Sequence, residues 1–406
     1  MYEGKIIKFY REKNKLTQEQ LGKDICSVTH ISKIECAQTK YAPEIISLLS
    51  KRLGINMELE VANFMNIKQR LLHWHDVIIM ELFEEMNQIY YEFEIEELIQ
   101  ISEYNDMYQL LKAKYLLTYN KLNEANKIIK MMQKKESKLA PFESNLLKHI
   151  LGINYLAKQE YIKVIQILKS IDNSIYKNPE YYYHLAVAYH TLKAPVLAYY
   201  YAERSHQFFK QINNYLRVID AEMLMIIQIQ GDTLDEEIIN RFKNLIRSCE
   251  LCNSPDRKSK VLHNLAYEYY RGKKYTEASK YYKESMSLKN SESSRFLLSL
   301  EGYIRSSLEE SNSNIEELIH HAEHGLSVAK KYNYVLYIHL FKLLLYLLKS
   351  KEKEYHHYLY SKALPMFLKN GFTFLIERSK KELFNYYSKM KLNDQAMEIA
   401  NLIVNA

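Results

Sequence analysis

One pattern of small and large residues returns along most of the chain, and a polypeptide that repeats itself in this way buries its apolar faces by stacking unit on unit. The clearest copy runs from Lys260 to Ser285, KVLHNLAYEYYRGKKYTEASKYYKES, where Leu262, Leu265, Ala266 and Tyr269 are followed by Ala278, Tyr282 and Ser285. A second copy sets Tyr182, Leu185, Ala186 and Tyr189 before Ala198, Ala202 and Ser205, and a third reads Leu151, Gly152 and Tyr155, then Val164 and Leu168. Such spacing describes two antiparallel helices with small residues where they pack closely. Weaker copies put the small position near Ala125, Glu236, Leu318, His356 and Ala396. From Ala125 to Ala396 is 271 residues in seven steps, or about 39 per step. With a degenerate unit near 68–103, the count is eight or nine repeats. Only 9 glycines and 6 prolines occur in 406 residues, too few for the turns of a β-rich fold. The chain is expected to be all-α.

The first sixty residues follow a different rhythm. Residues 4–13 alternate apolar and charged side chains at helical spacing, with Ile6, Ile7 and Phe9 available for a core. Asn14-Lys15 breaks that helix. Thr17-Gln18-Glu19-Gln20 has the form of a capping box, the threonine oxygen accepting from an orphan amide while Gln20 reaches back. Leu21 and Ile25, four apart, predict a short second helix, and Ile25-Cys26-Ser27 a tight turn. A third helix runs to about Glu35 with Ile31 and Ile34 inward. Pro43 starts a fourth, with Ile45, Leu48, Leu49 and Leu53 on one stripe.

The stretch from Leu16 to Glu35, LTQEQLGKDICSVTHISKIE, resembles the helix-turn-helix of the Cro/repressor-like family, and Thr29 to Glu35 looks like its recognition helix. The turn is one residue shorter than the family's usual form, a variant with a cysteine seen in regulators of the PlcR and NprR type. The resemblance implies double-stranded DNA as a partner. A helix of this width fits the major groove and presents its N-terminal half to base edges; here that half holds Ser27, Val28, Thr29, His30, Ser32 and Lys33. Thr17 and Gln18 open the preceding helix, where free amides and the helix dipole favour a phosphate. Arg11, Lys13, Lys15 and Lys40 are expected to contact phosphates without reading sequence.

The repeated unit is similar to the tetratricopeptide repeat, lengthened from the usual spacing of about 34 residues. That resemblance implies a right-handed superhelix whose first helices line a concave groove. A basic helix-turn-helix head (1–60), a linker helix (61–75) and an array of repeats (76–406) together resemble the peptide-sensing group that includes Rap, NprR, PlcR, PrgX and Rgg proteins, with NprR-like or PlcR-like members nearest. The resemblance implies a short, secreted and re-imported signalling peptide held in the groove, a homodimer or higher homo-oligomer, and a partly palindromic operator. Within each first helix the sixth and ninth positions face inward, which gives Asn264 and Tyr267, with Arg271 one turn on. Neighbouring units offer His184, Glu222, Lys342, Glu382 and Asn385. An asparagine can bond both the C=O and the N–H of an extended peptide, and Arg271 or Lys342 can meet an acidic side chain or a terminal carboxylate.

Charge supports two parts with different work. Residues 1–53 hold ten Lys and Arg against six Asp and Glu, whereas 76–103 hold nine acidic side chains and no Lys or Arg. That neck is either a solvated helix face, or it competes with phosphate for the basic head or contacts a protein partner. Four scattered cysteines suit a reducing, cytoplasmic setting. Lys5, Lys8 and Arg11 interrupt any apolar leader, and Ile338 to Leu348 is too short to span a membrane. Cys249 and Cys252 have zinc-like spacing without a second pair, and His320 and His324 lack the adjacent glutamate of zinc proteases. No metal or cofactor is expected. With no glycine-rich phosphate loop and no serine elbow, no enzyme is expected either. The reading is a DNA-binding transcription regulator controlled by a peptide. Its alternative is a Rap-like inhibitor of a response regulator, a role compatible with DNA binding in the same chain.

Overall fold

The computed structural model of the chain describes residues 2–36, 38, 42–229, 234–310 and 313–404. Among these residues every regular element is helical, and no helix is long and apolar enough to cross a membrane. Two compact units are present, Met1–Asn214 and Tyr215–Ala406.

The first unit opens with α1 (Glu3–Lys13), α2 (Gln18–Gly22), α3 (Val28–Glu35) and α4 (Pro43–Leu53). Their inward faces close on Ile7, Leu21, Ile31, Ile34, Leu49 and Leu53. The capping box forms: Thr17 Oγ1 accepts from the Gln20 amide at 3.1 Å and Gln20 Oε1 from the Thr17 amide at 2.8 Å. The second helix is shorter than its i,i+4 pattern predicts. Asp24 takes a left-handed φ of 60°, which ends the helix and leaves Ile25 in the turn. At Gly22 the second and third helices meet so closely that a Cβ would lie 3.1 Å from Ile31 Cγ1.

A 24-residue helix, α5 (Met57–Met80), follows, its first turn capped by Asn56. It contains the whole of the expected linker 61–75. Ile6 of α1 belongs to the core that includes Phe64, Ile67, Leu71 and Trp74 of α5, while its neighbour Ile7 belongs to the core of the head. Next come α6 (Phe83–Ile95), α7 (Asn105–Thr118), α8 (Leu122–Lys134), α9 (Pro141–Ala157), α10 (Tyr161–Lys169), α11 (Tyr181–Thr191) and α12 (Pro195–Gln211). Trp74 is fully buried among the rings of Tyr90, Phe93, Tyr108 and Tyr115, and its indole N–H donates to the Met86 carbonyl. Those contacts weld α5, α6 and α7 together.

The second unit contains α13 (Tyr215–Ile226), α14 (Glu236–Leu251), α15 (Pro255–Arg271), α16 (Tyr275–Ser287), α17 (Ser294–Leu308), α18 (Ile315–Lys331), α19 (Val335–Leu348), α20 (Glu352–Tyr358), α21 (Leu364–Asn370), α22 (Thr373–Lys389) and α23 (Asn393–Val404). The repeat pattern appears as buried contacts in both units. Ala125, Ala186, Ala198, Ala202, Ala266, Ala278, Ser205 and Ser285 are wholly buried, and a Cβ on Gly152 would overlap Leu168. Glu236 is the exception. It is exposed at the start of α14, and Ile238, Ile239 and Phe242 fill the core there. The apolar run 338–348 forms most of α19, with Leu340, Phe341, Leu343, Leu344 and Leu348 buried. The two helices of a pair are commonly joined through a residue in the left-handed conformation that is not glycine, as at Asn120, Gln159, Lys193, Lys273 and Lys391. Turns built in this way accommodate the scarcity of glycine.

Candidate functional site

On the head, α3 is the element turned outward. Ser27 caps it, its Oγ accepting from the His30 amide at 3.3 Å. Ser27, Val28, Thr29 and Lys33 are exposed, while His30 and Ser32 are half-buried. The His30 Nε2 is buried without a partner among the described residues. On the opposite side, Ile31 and Ile34 anchor the helix to the core. Glu35 locks its far end: its carboxylate accepts from Arg11 Nε at 2.6 Å, Arg11 Nη2 at 3.0 Å and Gln18 Nε2 at 2.9 Å. Arg11 also donates to the Leu16 carbonyl at 3.0 Å. Two residues expected at phosphate, Arg11 and Gln18, therefore brace α1 and α2 against α3 through their side chains. Thr17 is exposed at the start of α2. Lys40 lies outside the described residues.

The acidic neck is bonded through much of its length. Glu97 pairs with Lys13, and Glu103 with Lys5 at 3.8 Å, so two of its carboxylates hold lysines of the head. Glu92 and Glu96 bind Arg70, Glu85 binds His73, and Glu94 binds Lys112 and Tyr108. Lys13, read from sequence as a phosphate contact, is one of the two lysines held. Neither neck glutamate pairs with α3.

The ligand candidates divide between the units. In the first, His184 is buried in a polar network: its Nδ1 meets His149 Nε2 at 3.0 Å, and His149 Nδ1 meets the Tyr176 hydroxyl at 2.9 Å. Lys114 and Glu180 form a buried ion pair at 2.6 Å in the same network. Burial holds the His149 imidazole neutral, its pKa well below the ordinary value. His149, Glu180 and His184 have the donor set of a metal site, with the Lys114 ammonium already on the carboxylate. Sequence spacing placed His184 on a wall. The structure puts it inside, because partners from three other stretches of chain surround it.

In the second unit Asn264, Tyr267 and Arg271 lie along α15. Asn264 is half-buried and makes no hydrogen bond among the described residues. Tyr267 meets the Phe374 ring edge-on, with centroids 6.4 Å apart. Arg271 is spent on Glu268 at 3.0 Å, Glu222 faces Arg241 at 3.8 Å, and Lys342 sits 5.5 Å above the Tyr358 ring. Asn385 is exposed, and Glu382 is half-buried. What the sequence pattern missed is a pair of arginines. Arg305 on α17 is half-buried and binds Glu301 one turn earlier, and Arg378 on α22 feels its charge. Burial and the repulsion of Arg305 lower the Arg378 pKa below its ordinary value, with Glu301, Tyr355 and Glu382 partly opposing that. The i,i+4 spacing of Glu301 and Arg305 was the one local signal of this cluster, and it reads as an ordinary surface pair.

The four cysteines are free thiols, and burial pushes the Cys249 thiol up to about 12.

Residues 7–59 match the helix-turn-helix family. Over 362 residues the chain is 22% identical to the transcriptional activator NprA of Geobacillus stearothermophilus, covering 84% of this chain and 88% of that protein. The apo form of the quorum sensor NprR from B. thuringiensis superposes with a TM-score of 0.72 at 19% identity, over 84% of this chain and 98% of the other. NprR in complex with its cognate peptide NprX gives 0.64 at 19% identity, over 83% and 99%. A Rap protein complexed with Competence and Sporulation Factor gives 0.66 at 14% identity, over 84% and 97%. The chain thus shares an all-α fold of tetratricopeptide-like helical repeats with these solved structures, and its own residues 7–59 carry the helix-turn-helix.

Proposed function

We propose that the chain is a DNA-binding transcription regulator whose helical repeats receive a short signalling peptide. The observation that carries this reading is the exposed, capped and internally braced α3, joined in one chain to repeats that resemble those of a sensor solved with its peptide. Val28 and Thr29 are free to meet base edges, with the Val28 side chain suited to a thymine methyl and the Thr29 hydroxyl to either donor or acceptor edges. Lys33 supplies positive charge beside them. A pair of copies would read the two halves of a partly palindromic operator, and Asn264 would fix the backbone of an extended peptide. Selection on random duplexes tests the DNA half: wild type is expected to recover one motif, and the triple variant Thr29→Ala, Ser32→Ala, Lys33→Ala to recover none. Failure of the wild type to enrich any motif would sink the reading. A hold on a response regulator is the second reading, favoured by the likeness to a Rap protein. Pull-down of phosphorylated response regulators by the full chain separates the two.

A further inference from the structure

Where α15, α16 and α17 pack together, three polar side chains meet at one hydroxyl. Ser299 Oγ on α17 accepts from Lys289 Nζ, just past the end of α16, at 2.6 Å. It also lies 2.9 Å from His263 Nδ1 and 3.2 Å from Ser285 Oγ, and Ser285 donates to the Ser259 carbonyl at 2.6 Å. The His263 ring is seated edge-on against Tyr282, with centroids 5.2 Å apart. Only the ammonium in this node is charged. Burial and the Lys289 charge push His263 from 6.5 down to about 3, so its ring is neutral near pH 7. Lys289 makes no ion pair among the described residues, and Glu292, three residues on, is bound to Lys331 at 2.6 Å. Burial and then Arg295 push the Lys289 ammonium from 10.5 down to about 8, as befits a charge surrounded by dipoles alone. Two more cations flank it by helical spacing: Lys260, one turn before His263 on α15, and Arg295, one turn before Ser299 on α17. Neither has an ion pair among the described residues. Lys260, His263 and Lys289 are half-buried and Arg295 is exposed, so each keeps a face toward solvent. Asn264, without a hydrogen bond among the described residues, follows His263 directly.

We propose that Lys289, pinned by Ser299 and flanked by Lys260 and Arg295, is a subsite for a carboxylate of the signalling peptide, at its C-terminus or on an acidic side chain. An ammonium has three N–H donors, and one spent on Ser299 leaves two for carboxylate oxygens. The pin holds the flexible lysine stem in place beforehand, which lowers the ordering cost of binding. This rests on the peptide-receptor reading above and adds the chemistry of the ligand. Arg271 and Lys342, the cations singled out by sequence spacing, are engaged with Glu268 and the Tyr358 ring respectively and hold a secondary place.

The test uses the full chain and four synthetic pools of random seven-residue peptides, with free or amidated C-termini and with or without Asp and Glu, read by affinity selection and mass spectrometry. The wild type should retain the amidated pool lacking acidic residues at least about tenfold less well than the best pool, as expected for loss of a charge-assisted hydrogen bond. Loss on amidation assigns the C-terminal carboxylate, and loss on removing Asp and Glu assigns a side chain. Lys289→Met and Lys289→Gln should both erase the difference between pools. Lys283→Met, which removes the same charge from an exposed position of α16, should leave it intact. A melting temperature no lower than that of the wild type in either Lys289 variant keeps a folding defect out of the comparison. Equal recovery from the neutral amidated pool by the wild type, an unchanged preference in the Lys289 variants, or an equal loss in Lys283→Met would overturn the subsite while leaving a peptide receptor standing. Retention of no peptide from any pool would overturn the receptor reading and the subsite with it.

Discussion

His75 lies wholly inside the first unit, with Lys114 and Asn178 each 3.5 Å from its Nε2 and Glu180 close by. Burial and the Lys114 charge drop its pKa from 6.5 to about 3, with Glu180 only partly opposing them. An unfolded chain therefore takes up this proton near pH 6.5, and the folded chain declines it until about pH 3. Stability contributed by the neutral ring is complete above pH 6.5 and is lost progressively as pH falls toward 3. Moving from pH 7 to pH 5 should cost about 2 kcal/mol at this residue alone. Urea unfolding at the two pH values checks it: His75→Gln should lose less on acidification than the wild type, and equal losses would refute the assignment. Such networks are illegible in sequence, since His75, Lys114, His149 and Glu180 are brought together from across more than a hundred positions. The same holds for Arg305 and Arg378. Asn264 and His184 were placed by the same rule of position within one helix, yet His184 acquires buried partners while Asn264 is half-buried.

At the level of single helices, local chemistry carried most of what could be read. The capping box at Thr17 and Gln20, the start of α4 at Pro43 and the buried alanines of the repeats all depend on neighbours within a turn or on a fixed register. The end of α2 did not, because the apolar spacing of Leu21 and Ile25 continues past the point where Asp24 turns left-handed. Glu236 failed although it lies 38 residues after Ala198, close to the average step: α14 begins there, and the core is filled from Ile238 onward. The left-handed turn residues offer a test. Lys273 has φ 58° between α15 and α16. A side chain there opposes the conformation, so Lys273→Gly should stabilise the second unit by about 0.5–1 kcal/mol. Lys280→Gly, in the middle of α16, should cost about 1 kcal/mol instead. Thermal unfolding distinguishes them, and a loss of stability in Lys273→Gly would count against the turn geometry.

Across the whole molecule a net charge of +7 is distributed so that part of the head's positive charge is already answered by its own neck. Replacing Glu97→Gln and Glu103→Gln releases Lys13 and Lys5. If both reach phosphate, log K against log salt should steepen by up to about 2, near 0.9 for each contact. Fluorescence anisotropy on a non-specific duplex at several salt concentrations measures this slope, and an unchanged slope would mean that these lysines face away from DNA. The division of α1 has a larger implication. Since adjacent isoleucines of one helix are committed to different cores, α1 links the core around α5 directly to the core that holds α3. Control of such a regulator then needs no rearrangement of the reading surface itself.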